Sequence, residues 1–244
     1  MTAQYDASFT ERPTGREQAL MMAPAPDGED LSMADRAYLA LREGIIGGRY
    51  PIGSRMRERE LSAELKVSRV PVREAIAQLE SEGLVVTQPR RGAVVRQLTL
   101  EDIDELFDVR LSLEGLATRL AADRVRAGAS TERLRELMAI ADEVTRAGDV
   151  QAIREANTAL HLEIVTLSGN RLLGETMAPL VGRIRWLFAL TSDRDPAVQC
   201  REHHELCAAI EAGNPDLAEA LAYAHIELGR TPSLTALADR LPPN

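Results

Sequence analysis

Aromatic residues are scarce. Trp, Tyr and Phe together make up 3% of the 244 residues. Strands draw on aromatic and β-branched side chains, so a core built mostly from Ala, Leu, Ile and Val favours packed helices over sheets. Cysteine is nearly absent as well. Cys200 and Cys207 fall seven apart in what reads as one helix. That spacing puts them about 10 Å apart, too far for a disulfide. A disulfide scaffold is excluded, and a reducing, cytoplasmic setting is expected. No apolar run approaches the roughly 18 residues that span a bilayer. The start of the chain lacks a basic stretch followed by an apolar one, so neither a membrane span nor a secretory signal is expected.

The chain also lacks an overall positive excess, with a net charge of −9. The distribution is more telling than the total. Residues 33–97 carry twelve Arg and Lys against eight Asp and Glu, while the segments on both sides are acidic. A short basic segment between acidic flanks suits a DNA-reading module attached to something else.

Residues 1–31 hold Pro, Gly and polar residues without periodicity (ERPTG, APAPDGED) and read as a disordered tail. Ser32 can cap a helix whose apolar positions Tyr38, Leu39, Leu41, Ile45 and Ile46 recur at helical spacing, and Gly47-Gly48 ends it. A short helix follows near 58–66. A third begins after Ser68, with Pro71 tolerated in its first turn, and closes at Gly83. Two β-prone runs around Pro89-Arg90-Arg91-Gly92 predict a hairpin. From Thr99 onward the pattern is helical. Helices are expected near 99–127, 131–147, 150–168, 170–192, 196–212 and 215–229.

Helix, short helix, turn, helix and hairpin within about 65 residues is the order of a winged helix-turn-helix. Arg69 and Arg73 lie four apart at the start of the expected recognition helix, so they share a face. Arginine is the usual bidentate partner of guanine in the major groove. Ser68 and the helix N-terminus suit a phosphate. Val72, Ile76 and Leu79 supply the apolar face, and the hairpin tip is basic and small.

The four histidines, His161, His203, His204 and His225, all fall in the acidic helical half. Asn157 and His161 are one turn apart on one helix. His203 and His225 sit on two helices joined by the Gly213-Asn214-Pro215 turn, so both can face one spot. Three imidazoles and one oxygen suit Zn²⁺, Ni²⁺ or another borderline divalent ion. His204 points about 100° from His203 and reads as a rim or surface residue. Both cysteines read as small packing residues, with Cys207 a less favoured thiolate ligand. Arg110 faces two readings, a bidentate anchor for a carboxylate effector or an ion pair with Glu114 one turn on. Trp186 and Phe188 read as core or interface residues.

The segment GGRYPIGSRMRERELSAELKVSRVPVREAIAQLESEGLVVTQPRRGAVV resembles the N-terminal domain of the GntR superfamily of transcription regulators. The resemblance implies DNA contacts from Arg59, Ser68, Arg69, Arg73 and Gly92, with Arg55, Arg57 and Arg91 as phosphate contacts. Val70 stands where other members carry a hydroxyl residue, which removes one polar contact. The segments LFDVRLSLEGLATRLAA, NTALHLEIVTLSGN and EHHELCAAIEAGNPDLAEALAYAHI resemble the FCD ligand-binding domain of the FadR subfamily. That likeness implies a metal held by Asn157, His161, His203 and His225. Asn in place of Asp at the first position gives a neutral oxygen and a weaker electrostatic hold.

The expectation is thus a mostly α protein. Residues 32–97 form a winged helix-turn-helix, and residues 98–234 form an all-α antiparallel bundle for effector binding and dimerisation. The protein is expected to act as a homodimer on an operator, most simply as a repressor. It would sense a small organic acid in a metal-containing cavity and transmit binding through the 97–99 linker. A constitutive DNA-binding dimer with a structural helical domain is the first alternative. A metallohydrolase using Glu163 or Glu202 as base is the second, although no HExxH-type pairing is present.

Overall fold

The computed structural model describes residues 31–191 and 194–244. The expected disordered tail, apart from Leu31, lies outside them. The N-terminal part holds α1 (Met33–Ile46), α2 (Glu58–Leu65), α3 (Arg69–Ser81) and the hairpin β1 (Val85–Gln88) and β2 (Gly92–Val95). Six helices follow: α4 (Leu100–Arg126), α5 (Glu132–Ala147), α6 (Val150–Leu167), α7 (Arg171–Leu190), α8 (Pro196–Glu211) and α9 (Pro215–Leu237). The fold is mostly α, as the scarcity of aromatics implied.

Local chemistry explains most of the ends. Ser32 and Asp35 make a reciprocal capping box on α1, and Thr99 and Asp102 make one on α4. Asp at the third position serves in both, where Glu is the commoner choice. Asp149, Asn170, Asp195 and Asn214 accept from backbone N–H groups at the starts of α6 to α9. Gly148 closes α5 in the left-handed conformation. The hairpin pairs Val85 with Val95 and Gln88 with Gly92, leaving Pro89, Arg90 and Arg91 as the tip. Arg55 adds an isolated bridge to Val94, so the segment before α2 lies along the wing.

Two differences from the sequence reading stand out. The last helix does not end near 229 but continues through Pro232 to Leu237. Proline normally ends a helix by removing a donor. Here Ser233 and Leu237 are buried, and Leu237 joins the apolar core, so tertiary packing overrides the local signal. Beyond it, the carbonyls of Pro242 and Pro243 accept from the N–H groups of Leu100 and Glu101. The C-terminal tail thereby satisfies orphan donors at the start of α4.

The second difference concerns the cores. One core joins Tyr38, Leu41, Ile45, Val72, Leu79 and Leu84 of the N-terminal part to Phe107, Trp186, Leu187, Ile226 and Leu237 of the bundle. A separate core within the bundle includes Leu134, Leu160, Ile164, Leu206 and Ile210. The N-terminal part therefore packs directly on the end of the bundle. Polar contacts fasten the same seam. Arg183 Nε donates to the Glu82 carbonyl at 2.6 Å, and Arg185 makes a two-pronged pair with Glu43 at 2.6 and 2.8 Å. Gly182 lets Leu84 and the Glu82 carboxylate approach α7, since a Cβ there would lie 2.8 Å from Glu82 Oε2.

Candidate functional site

Two sites emerge, one on each side of that seam. On the N-terminal part, Arg69 and Arg73 open α3 and both are exposed. Glu58 at the start of α2 holds them. Arg73 donates to its two oxygens at 2.9 Å each, and Arg69 lies 3.5 Å away. Arg73, then Arg69, holds the Glu58 carboxyl below its ordinary range. Ser68 is the N-cap residue of α3 by backbone conformation, but its hydroxyl makes no capping bond, so it projects free at the helix N-terminus. Arg55, Arg57 and Arg59 are exposed just before and within α2, and Arg57 pairs with Glu60 at 2.7 Å. The wing tip is bent by Arg90 (φ 63°) and Gly92 (φ 72°), and Arg91 is exposed beside them. The arginine-rich start of α2, the start of α3 and the wing tip all present cations or free donors to solvent. Val70 is exposed and offers no hydrogen bond.

In the bundle, α6, α8 and α9 bring His161, His203 and His225 together, with ring centroids 4.5 to 5.3 Å apart. His203 Nε2 and His225 Nε2 are 3.2 Å apart. Two of the rings are oriented from behind by the same device. Arg110 pairs with Glu114 at 2.6 Å, and Glu114 Oε2 lies 2.8 Å from His161 Nδ1. Arg194 pairs with Glu202 at 2.6 Å, and Glu202 Oε2 lies 2.7 Å from His225 Nδ1. A carboxylate can only accept, so each Nδ1 carries the proton and each Nε2 turns its lone pair toward the centre. His203 Nδ1 is buried without a hydrogen-bond partner among the described residues.

The electrostatics agree with this arrangement. Burial alone would raise the Glu114 carboxyl, but Arg110 and then His161 outweigh it and hold it far below the ordinary range. Glu202 is likewise lowered by His225 and Arg194 against the effect of burial. Burial, with the neighbouring imidazoles adding to it, pushes His203 well below its ordinary value. Burial is also the largest cause for His225, lowered to about 4 despite Glu202. Both rings are neutral at neutral pH, the form that binds metals.

The three histidines line a cavity of about 130 Å³. Asn157 lines it beside His161. Arg110, Arg154 and Arg194 also line it, and among the described residues no Asp or Glu does. Arg154 escaped the sequence reading. It lies three residues before Asn157 and seven before His161, on the same face of α6, and that spacing was the available signal. It has no ion-pair partner among the described residues. Arg110 makes the ion pair with Glu114 and also lines the cavity. Phe188, expected only as core or interface, also lines the cavity, beneath the Arg110 guanidinium at 5.1 Å. Trp186 is buried core. Cys207 sits in the bundle core and His204 at the surface, outside the cavity lining.

Residues 33–95 match the family described as bacterial regulatory proteins, gntR family, and residues 105–228 match the FCD domain. The chain belongs to the GntR family and carries an FCD domain. It is 35% identical over 176 residues to a probable D-xylose utilization operon transcriptional repressor of Paenarthrobacter nicotinovorans, covering 72% of this chain and 77% of that one. It is 31% identical over 195 residues to the HTH-type transcriptional regulator YdhC of Bacillus subtilis, covering 77% and 85%. A solved GntR transcriptional regulator from Rhodococcus sp. RHA1 superposes with a TM-score of 0.71 at 28% identity, covering 84% of this chain and 99% of that one. As a GntR/FCD protein the chain is a ligand-responsive, DNA-binding transcription regulator and not an enzyme. Glu202, one of the bases a hydrolase would need, is occupied by Arg194 and His225. No helix is long and apolar enough to cross a membrane among the described residues.

Proposed function

We propose that this regulator is a homodimeric repressor that binds a small organic acid in the bundle cavity, residues 32–97 reading DNA and residues 98–234 sensing the acid. The observation that carries the reading is the cavity lining, with three arginines and three imidazoles facing a space that no described carboxylate shares. Such a lining favours an anion. Its size favours a small one, because about ten waters at roughly 10–15 Å³ each would fill it. Arg154, without an ion pair among the described residues, is the natural anchor for a carboxylate, with Arg110 and Arg194 adding positive potential while tied to their glutamates.

The residues fit a divalent metal. Two ligands 2.0–2.1 Å from one ion in a tetrahedron sit about 3.3 Å apart, close to the 3.2 Å between His203 Nε2 and His225 Nε2. His161 supplies the third nitrogen and Asn157 a neutral oxygen. Zn²⁺ suits this set, and Ni²⁺ is the next candidate. The bound cation would add a Lewis-acid position for the carboxylate of the effector.

The DNA contacts proposed are Arg69 and Arg73 to base edges, and Ser68, Arg59, Arg55 and Arg57 to phosphates. Arg91 and Gly92 sit at the wing. A second copy would cover an apolar strip on the antiparallel pair α4 and α9, where Val109, Leu116, Leu217 and Leu228 are exposed. Dimeric pairing would set two recognition helices on a two-fold operator.

Coupling runs through α7 as well as the 97–99 linker. One stretch of α7 grips the reader through Arg183 and Arg185, and the next turns reach the cavity through Phe188 and Thr191. An acid that favours one setting of α7 would change DNA affinity by its difference in binding energy. The paired experiment is elemental analysis of the purified protein and a thermal-shift screen of small organic acids. One metal per chain at this centre, lost in His161→Ala, is expected, as is a melting shift lost in Arg154→Ala. Failure of any small carboxylate to stabilise the protein would overturn the effector class.

A further inference from the structure

We propose that Asp142, Cys200 and His204 form a second metal site, separate from the imidazole centre, that takes a borderline divalent cation such as Zn²⁺. Cys200 and His204 are four residues apart on α8 and so share a face. Asp142 reaches them from α5. His204 Nε2 lies 2.8 Å from Asp142 Oδ1, and Cys200 Sγ lies 3.2 Å from the same oxygen. The three ligand atoms all fall within 4.8 Å of one another. None of the three lines the cavity, and none belongs to the set proposed for the buried centre.

The chemistry selects the class of ion. One thiolate, one imidazole and one carboxylate suit Zn²⁺, Co²⁺ or a similar ion, while Mg²⁺ and Ca²⁺ prefer oxygen alone. The geometry is nearly set. Around a tetrahedral ion an N–O edge is about 3.3 Å and an S–O edge about 3.5 Å. The Asp142–His204 and Asp142–Cys200 pairs must each open by about half an ångström or less, and the Cys200 and His204 ligand atoms, within 4.8 Å of each other, must settle about 3.6 Å apart. His204 and Asp142 are 52% and 39% exposed and free to adjust, whereas Cys200 is buried and fixes the base of the site. The open side leaves a position for water. Arg146 also acts on Asp142 and lowers its carboxyl pKa, as a competing cation would.

Binding exchanges protons for the ion without any redox change. The Cys200 thiol gives its proton to solvent, and the bound His204 ring keeps its one proton on Nδ1, with the Nε2 lone pair on the ion. The ion would then tie α5 to α8 one residue from His203, which faces the effector cavity. A cation acting from the surface would thus stiffen the helix that carries one imidazole of the buried centre.

Cobalt titration of the full chain tests the proposal. A thiolate bound to Co²⁺ gives an intense near-ultraviolet charge-transfer band that an all-imidazole site cannot give. The band should appear in the wild-type chain, persist in His161→Ala and in Cys207→Ser, and vanish in Cys200→Ser. With Zn²⁺, equilibrium dialysis should find two equivalents per chain, falling to one in Cys200→Ser and to one in His161→Ala. Circular dichroism verifies that each variant is folded. Absence of the band at saturating Co²⁺ would overturn the proposal. So would a band that survives Cys200→Ser or is lost instead in Cys207→Ser. Loss of the His161-dependent equivalent alone would count against the buried centre and leave this site standing.

Discussion

The reader and the sensor use the same ionic pair in opposite ways. In the reader, Glu58 grips Arg73 at 2.9 Å on the protein surface. In the sensor, Glu114 grips Arg110 at 2.6 Å with both side chains almost fully buried. The distances are alike, and the surroundings decide what each pair does. Water and salt screen the exposed pair, so it contributes little to folding and costs little to give up to a ligand. The buried pair cannot be given up without stranding a charge, so it serves as scaffolding for His161. A reader must surrender its contacts to its ligand, whereas a sensor must hold its site ready before the ligand arrives.

The largest expected effect lies on the buried side. Glu114→Gln should cost about 3–5 kcal/mol of stability, because Arg110 is left buried without its charge partner. Metal affinity should fall with it, since His161 loses the acceptor that orients its ring. Urea unfolding and metal titration measure both. A stability unchanged by this substitution would break the contrast. The next effect belongs to the reader. Arg69→Ala combined with Arg73→Ala should weaken specific operator binding by about a hundredfold or more, given two lost bidentate contacts. Metal content and melting temperature should stay near wild type. Fluorescence anisotropy at fixed salt reads the first and calorimetry the second. An unchanged operator affinity would remove these arginines from the interface.

The two halves also differ in how far the sequence exposed them. The reader is local. Its helices, wing and candidate contacts fall within 65 consecutive residues, so spacing alone aligned Ser68, Arg69 and Arg73 on one helix start. The sensor's cavity is assembled from five helices and the approach to α8. Asn157, His161, His203 and His225 were legible because ligand types are rare and the turns are short. Glu114 and Glu202 were not, since a glutamate's role behind a histidine depends on packing between helices distant in sequence. Glu114 was visible only as a partner for Arg110, and Glu202 only as a base for a different chemistry. Arg154 hid among the many arginines of a helical chain. The seam was the least legible feature. Nothing local announces that Gly182 admits Glu82, or that Pro232 lies inside a helix held by the reader's core.

A pH test sharpens the comparison at that seam. Glu82 is buried, with Tyr38 and Arg42 on α1 and Arg183 on α7 as its titratable neighbours. Burial pushes its carboxyl up from 4.5 to about 7, against the lowering effects of Tyr38, Arg42 and Arg183. The unfolded chain loses this proton near 4.5, while the folded protein keeps it to about 7. Between those values the unfolded state binds fewer protons, so stability declines as pH rises through that window. Glu82→Gln cannot ionise and should escape the decline. It should match wild type near pH 4 and exceed it by about 2–3 kcal/mol above pH 7.5. Denaturant unfolding across pH 4–8 reads the difference. Parallel curves for the two proteins would show that Glu82 releases its proton at the same pH in the folded and unfolded chains.

The smallest effect is the most direct test of exchangeability. Glu58→Gln removes the exposed carboxylate that holds Arg69 and Arg73 but keeps the side chain's length. If the pair is a resting partner that DNA displaces, melting should move by no more than about 2 °C. Operator affinity should rise about two- to fivefold, because a negative charge and a competitor for the arginines are both gone. If Glu58 instead holds Arg73 in its reading pose, affinity should fall, chiefly for the specific operator, while non-specific DNA binds as before or better. Anisotropy titrations with operator and scrambled duplexes at one salt concentration separate the two outcomes. A fall would mean that the reader, too, is oriented from behind by a carboxylate, and that exposure alone does not divide the two halves.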